Sequence, residues 1–178
     1  MTARLTTVLL LISTFVKGNS PDSLQLTING LNLSEDMSTL SSKNDEVLVL
    51  VYPFNDTTRL SPPIAAEYFV LDSANRKKIV RFPSPSSEMP LLFFLAEIDS
   101  DRSPEEIELL FRKNFKEIIN CIERKDLIAL QKYIGDDDLI GYKILSRENQ
   151  TKGISFTFQG RYKLDKFLYK IELKKLSQ

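Results

Sequence analysis

Residues Pro90 to Ile98 are almost wholly apolar, and at their end the chain turns abruptly acidic in Glu97-Ile98-Asp99-Ser100-Asp101-Arg102. An apolar run this short, bounded by proline on one side and carboxylates on the other, reads as a buried strand, Leu91 to Ile98, meeting a loop. A second acidic run, Asp136-Asp137-Asp138-Leu139-Ile140-Gly141, leads into Tyr142-Lys143-Ile144-Leu145 and so also sits where strand meets loop. Carboxylates at such places are either solvated loop residues or ligands to a cation. The residue types alone leave both open.

The remaining apolar runs repeat the pattern. Leu24 to Leu31 alternates apolar and polar residues, as a strand with one buried face must. Glu46 to Tyr52 is nearly continuous and ends at Pro53, which makes it another buried strand. Ala65 to Leu71 and Lys77 to Phe82 flank Asp72-Ser73-Ala74-Asn75, residues that favour turns, so the two are expected to form a hairpin. Ile154 to Phe158 and Phe167 to Leu173 complete the set. In the last of these, Lys166, Lys170 and Lys174 lie on a wet face, where they would solubilise the strand. With Tyr142 to Leu145 this makes an all-β, eight-stranded antiparallel β-sandwich.

One amphipathic helix interrupts the strands. Ser103-Pro104-Glu105-Glu106 has a capping serine, proline at the first helical position and glutamate three residues after the cap. Ile107, Leu110, Phe111, Phe115, Ile118, Ile119 and Ile122 then recur at helical spacing, the mark of a face packed on a core. A second helical piece, Asp126 to Tyr133, runs to Gly135, which suits a left-handed stop.

Composition narrows the chemistry. Of 178 residues, 24 are Lys or Arg and 24 are Asp or Glu, so no global field draws the chain toward nucleic acid or an anionic membrane, and any attraction must be local. There is no histidine and a single cysteine, Cys121, which removes the usual general base, the commonest zinc ligand and any intramolecular disulfide. No nucleophile–base pair or phosphate loop is present either, and the expectation is a binding protein, not an enzyme. The first residues, a basic start and an apolar core from Leu5 to Val16 before Gly18, follow the pattern of a signal peptide over residues 1–18. That predicts a secreted or periplasmic domain over residues 19–178, with the helical insertion at about 103–135. Sequons at Asn32, Asn55 and Asn149 matter only in a eukaryotic secretory route.

Asp99-Ser100-Asp101 begins like a helix-loop-helix calcium loop, but that loop needs glycine and glutamate where this chain has Pro104 and Leu110. The motif fails. Asn44-Asp45-Glu46-Val47-Leu48-Val49 instead resembles the S/N-D-P-Y-V-x-V step of C2 domains, with Glu46 and Val47 in place of proline and tyrosine. Glu97 to Asp101 resembles their x-V-x-D-x-D strand end, Asp137 to Gly141 is similar to their N/D-D-x-[IL]-G step, and Gly160-Arg161-Tyr162 is similar to their late G-Y-R. The pieces come in the family's order, from about Leu24 to Leu173, in what looks like its permuted, phospholipase-type topology.

The resemblance implies a C2-like sandwich that docks on anionic phospholipid or a partner protein. It also implies calcium held by Asp36, Asp45, Asp99, Asp101 and Asp138. The family's third loop is short, whereas here it holds everything from Ser103 to Gly135, as a lid over the metal site or a spacer between its halves. Met37 and Leu40, apolar in a polar loop, would contact a membrane or anchor that loop in the core. Arg76, Lys77 and Lys78, with Arg81, form a basic run that meets lipid headgroups or is simply solvated. The alternative from another class is a metal-free structural or interaction sandwich of the cell envelope, such as an accessory subunit of a secretion or adhesion machine. In that case the inserted helix binds the partner.

Overall fold

The computed structural model describes residues 22–33, 44–54, 62–85, 89–98, 103–133, 138–162 and 165–176. The expected leader, residues 1–18, lies outside them. Eight strands run in chain order as β1 (Ser23–Asn32), β2 (Asp45–Pro53), β3 (Ala65–Leu71), β4 (Lys77–Pro83), β5 (Leu91–Glu97), β6 (Asp138–Leu145), β7 (Ile154–Tyr162) and β8 (Asp165–Leu176). They form two four-stranded antiparallel sheets, β4-β1-β8-β7 and β3-β2-β5-β6. The expected eight-stranded antiparallel sandwich is the observed one.

Strand alternation builds the core between the sheets. Leu24, Leu26 and Ile28 of β1 and Tyr169, Ile171 and Leu173 of β8 point inward from one sheet. Val47, Val49 and Val51 of β2 and Leu91, Phe93 and Leu95 of β5 meet them from the other. Each such side chain contributes about 1.5–3 kcal/mol by leaving water.

The continuous apolar runs of β2 and β5 have a second cause. Their other face, Leu48, Leu50, Tyr52, Leu92, Phe94 and Ala96, is covered by helices and forms a separate core. The covering comes from the insertion, which consists of α1 (Pro104–Lys113), α2 (Phe115–Glu123) and α3 (Leu127–Gln131). Ile107, Phe111, Ile118, Cys121, Ile122 and Leu130 face the sheet, and the rings of Phe94 and Phe111 meet edge to face with centroids 4.6 Å apart. Strands buried on both sides cannot alternate, so they read as unbroken apolar runs.

Three details differ from the expectation. The apolar stripe from Ile107 to Ile122 belongs to two helices, broken at Asn114, where the backbone leaves helical angles (φ −106°, ψ 20°) and the side-chain amide joins the backbone amide in donating to the Leu110 carbonyl, each at 3.0 Å. The Ser103 capping box is present as expected. Second, β3 and β4 are not a hairpin, because β3 pairs with β2 and β4 with β1. The turn between them is built as expected, with Asp72 Oδ1 accepting from Ala74 N and Asn75 N at 2.9 and 2.6 Å. It joins edge strands of opposite sheets because Phe69 and Leu71 of β3 and Val80 and Phe82 of β4 enter the same core from its two sides. Third, a short helix α4 (Arg147–Lys152) occupies what reads as a sequon and its surroundings, with a capping box between Ser146 and Asn149.

Candidate functional site

The strand ends that border both acidic runs lie at one end of the sandwich. β2 starts at Asp45, β5 ends at Glu97 and β6 starts at Asp138, with Val47 opposite Glu97 and Glu97 opposite Asp138. The Ile98 amide extends the pairing by donating to the Glu46 carbonyl at 2.6 Å. β1 ends there too, where Gly30 and Asn32 lie opposite Tyr169 and Leu168, and so does the pairing of Tyr162 with Asp165. The described strand ends Asn32, Asp45, Glu97, Asp138, Tyr162 and Asp165 therefore lie at one end of the sandwich.

The insertion neither forms a lid over this end nor separates its halves. Its helices fold back along the outer face of the sheet, and the strands on either side of it are in register at Glu97 and Asp138. The Asp138-Leu139-Ile140-Gly141 step is a β-bulge. Ala96 lies opposite Leu139 and Leu95 opposite Gly141, so Ile140 is the extra residue and is buried between the sheets. A β-carbon on Gly141 would stand 2.6 Å from the Phe158 ring, which explains glycine at the end of that motif.

Two carboxylates face the inter-sheet core here. Asp45 shares the side of Val47, Val49 and Val51, and Glu97 shares the side of Phe93 and Leu95; their exposures are 0% and 7%. The Tyr169 hydroxyl, itself fully buried, donates to Asp45 Oδ2 and ties one sheet to the other. Burial above all, then the charge of Asp45, the hydrogen bond to it and the charge of Glu97, raise the Tyr169 pKa far above its ordinary value. Its proton stays in place as the donor. Neither Asp45 nor Glu97 is without a partner.

Among the five expected calcium ligands, Asp45 is at this end and turned into the core, and the backbone of Asp138 is one strand away from Glu97. Asp36, Asp99 and Asp101 lie outside the described residues, as do Met37 and Leu40. Oxygen donors suit a hard cation that takes six to eight of them. The described residues supply only part of such a shell, and among them no group of three or more His, Cys, Asp or Glu is placed to hold a metal.

The basic run is divided by strand alternation. Lys77 is exposed on the outer side of β4, whereas the Lys78 ammonium lies 5.4 Å over the Phe69 ring toward the other sheet. Arg76 precedes the strand, and its carbonyl accepts from the Gly30 amide at 2.8 Å. Sequence reasoning did not single out Glu97 or Tyr169 as site residues. The available signal was a tyrosine at an inward position of the last strand, since a buried phenol needs an acceptor.

Two four-stranded antiparallel sheets, with the acidic strand ends gathered at one end, make this an eight-stranded antiparallel β-sandwich. No protein-family model matches the chain, and no curated protein matches it in sequence. Among solved structures it is similar to a C2 domain, the one lettered A, of a plant extended synaptotagmin 1, at 10% identity and a TM-score of 0.38, over 88% of this chain and 97% of that one.

Proposed function

We propose that the chain is a C2-like binding module whose loop end docks on anionic phospholipid with calcium bound there. The observation that supports this reading is the register of Glu97 opposite Asp138, which brings the two acidic runs to neighbouring strand ends beside Asp45. Asp36, Asp45, Asp99, Asp101 and Asp138 are the proposed ligands. Bound calcium would supply a positive centre whose shell accepts oxygens from protein and lipid phosphate alike. The leader pattern adds a secreted or periplasmic location to the proposal.

A second reading is favoured by the Asp45–Tyr169 bond, which already joins the sheets with a proton donor in place of a cation. In that reading the sandwich is a metal-free interaction module. Thermal melts in calcium and in chelator separate the two. A ligand at a hundred times its Kd stabilises by about 2.7 kcal/mol, which in a chain of this size raises Tm by about 5–10 °C. Asp99→Asn and Asp138→Asn are each expected to abolish the rise. An unchanged Tm at millimolar calcium overturns the calcium reading and leaves the metal-free one.

A further inference from the structure

Alternation that sends Leu26, Ile28, Val80, Phe82, Ile171 and Leu173 inward sends a different set outward on the β4-β1-β8-β7 sheet. Read across β4, β1 and β8, the registers place three rows on that outer face: Lys77, Asn29 and Lys170; Ile79, Thr27 and Glu172; Arg81, Gln25 and Lys174. Four cations stand at the corners and one acid between two of them. The neighbouring strand β7 adds Ser155 opposite Glu172 and Thr157 opposite Lys170, both uncharged.

Contacts within the face agree with this placement. Lys170 Nζ lies 2.7 Å from Glu172 Oε1, and Arg81 Nε donates to Gln25 Oε1 at 3.2 Å. Lys170 first, then Lys174 and Lys77, hold the Glu172 carboxyl below its ordinary pKa. Lys77, Arg81 and Lys174 are exposed, and Ile79, in the middle row, is an exposed large apolar side chain at 43%. Helices α1 to α3 pack on the other sheet. The whole chain has no net charge, so this excess of three positive charges is a local feature.

We propose that this outer sheet face is a second docking surface, for an anionic phospholipid membrane, and that it acts without calcium. Spacing decides between occupants. Two strand intervals put the β4 and β8 cations about 10 Å apart, and four residues along a strand put the rows of cations about 13 Å apart. Such cations cannot converge on one phosphate. They match a two-dimensional array of phosphates, and Ile79 among them suits the boundary between headgroups and acyl chains.

The proposal does not rest on the loop-end reading, and the test keeps them apart. In chelator and at low salt, the full chain is expected to sediment with vesicles containing phosphatidylserine and to be released as salt is raised. Lys77→Gln with Lys174→Gln, at diagonal corners, should weaken vesicle binding by about fivefold per cation. Their Tm and any calcium-induced rise in it should match the parent chain. Ile79→Ser should weaken binding without altering its salt dependence. Vesicle binding that the paired substitution leaves unchanged overturns the proposal. So does binding to polyglutamate with none to vesicles, which would assign the face to an acidic protein.

Discussion

The hydroxyl of Tyr169, on one sheet, donates to the carboxylate of Asp45, on the other, and both side chains are fully buried. Removing the donor leaves a carboxylate in the core short of one partner. Tyr169→Phe is expected to cost about 1–3 kcal/mol, or more because the acceptor is charged. Urea denaturation at neutral pH measures the loss.

The same tyrosine makes stability fall in alkali. Its folded-state pKa is raised, mainly by burial and then by Asp45, while in the unfolded chain it ionises near the ordinary value of about 10. Below that pH the folded and unfolded states hold the proton equally, and stability is complete. Above it the unfolded chain loses a proton that the folded chain keeps, so stability declines as pH rises. Tyr68, pushed up to about 12 by partial burial and its bond to Glu46, contributes over the interval from about 10 to about 12. Urea midpoints measured from neutral to strongly alkaline pH should fall in the parent chain and fall less steeply in Tyr169→Phe.

Tyr52 presents the opposite case. It is fully buried under the helical layer, and its hydroxyl has no hydrogen-bond partner among the described residues. A buried donor left unmade costs about 1–3 kcal/mol. Tyr52→Phe should therefore raise the urea midpoint, with an unchanged m-value. A lower midpoint would show that the hydroxyl helps to hold α1, which carries Glu108 and Arg112, on the sheet.

The third layer makes a prediction of its own. Phe111 fills the space over Phe94, and Phe111→Ala should cost about 3–5 kcal/mol. Were the insertion a detachable lid, the cost would be small.

Gly141 tests the bulge. Gly141→Ala drives a methyl into the Phe158 ring and should cost about 1–3 kcal/mol as overpacking. Phe158→Leu in the same chain should recover part of the loss, because the two sites share one space. Additive effects would mean that the glycine serves the backbone and not the ring.

The strands were legible in the chain because each carries its own period and its own stop residues, and the helical start because Ser103, Pro104 and Glu106 sit at fixed offsets. Pairing was less legible. Asp72 to Asn75 specify a turn, yet nothing in them says whether the strands they join share a sheet; that depends on the side from which Phe69 and Val80 enter the core. The break at Asn114 was hidden because the apolar spacing continues across it. At the site, Asp45 and the acidic strand ends were readable from motif and order. Tyr169 was not, since its pairing with Asp45 spans 124 residues and two sheets.

One sheet turns cations outward and the other turns helices outward, so the sandwich has two unlike sides. Any surface that holds Lys77, Arg81, Lys170 and Lys174 leaves α1 to α3 facing away from it. Leu109 and Ile128, exposed at 65% and 79% on those helices, then point into free solution. Orientation on a surface is thereby encoded in which sheet received the insertion.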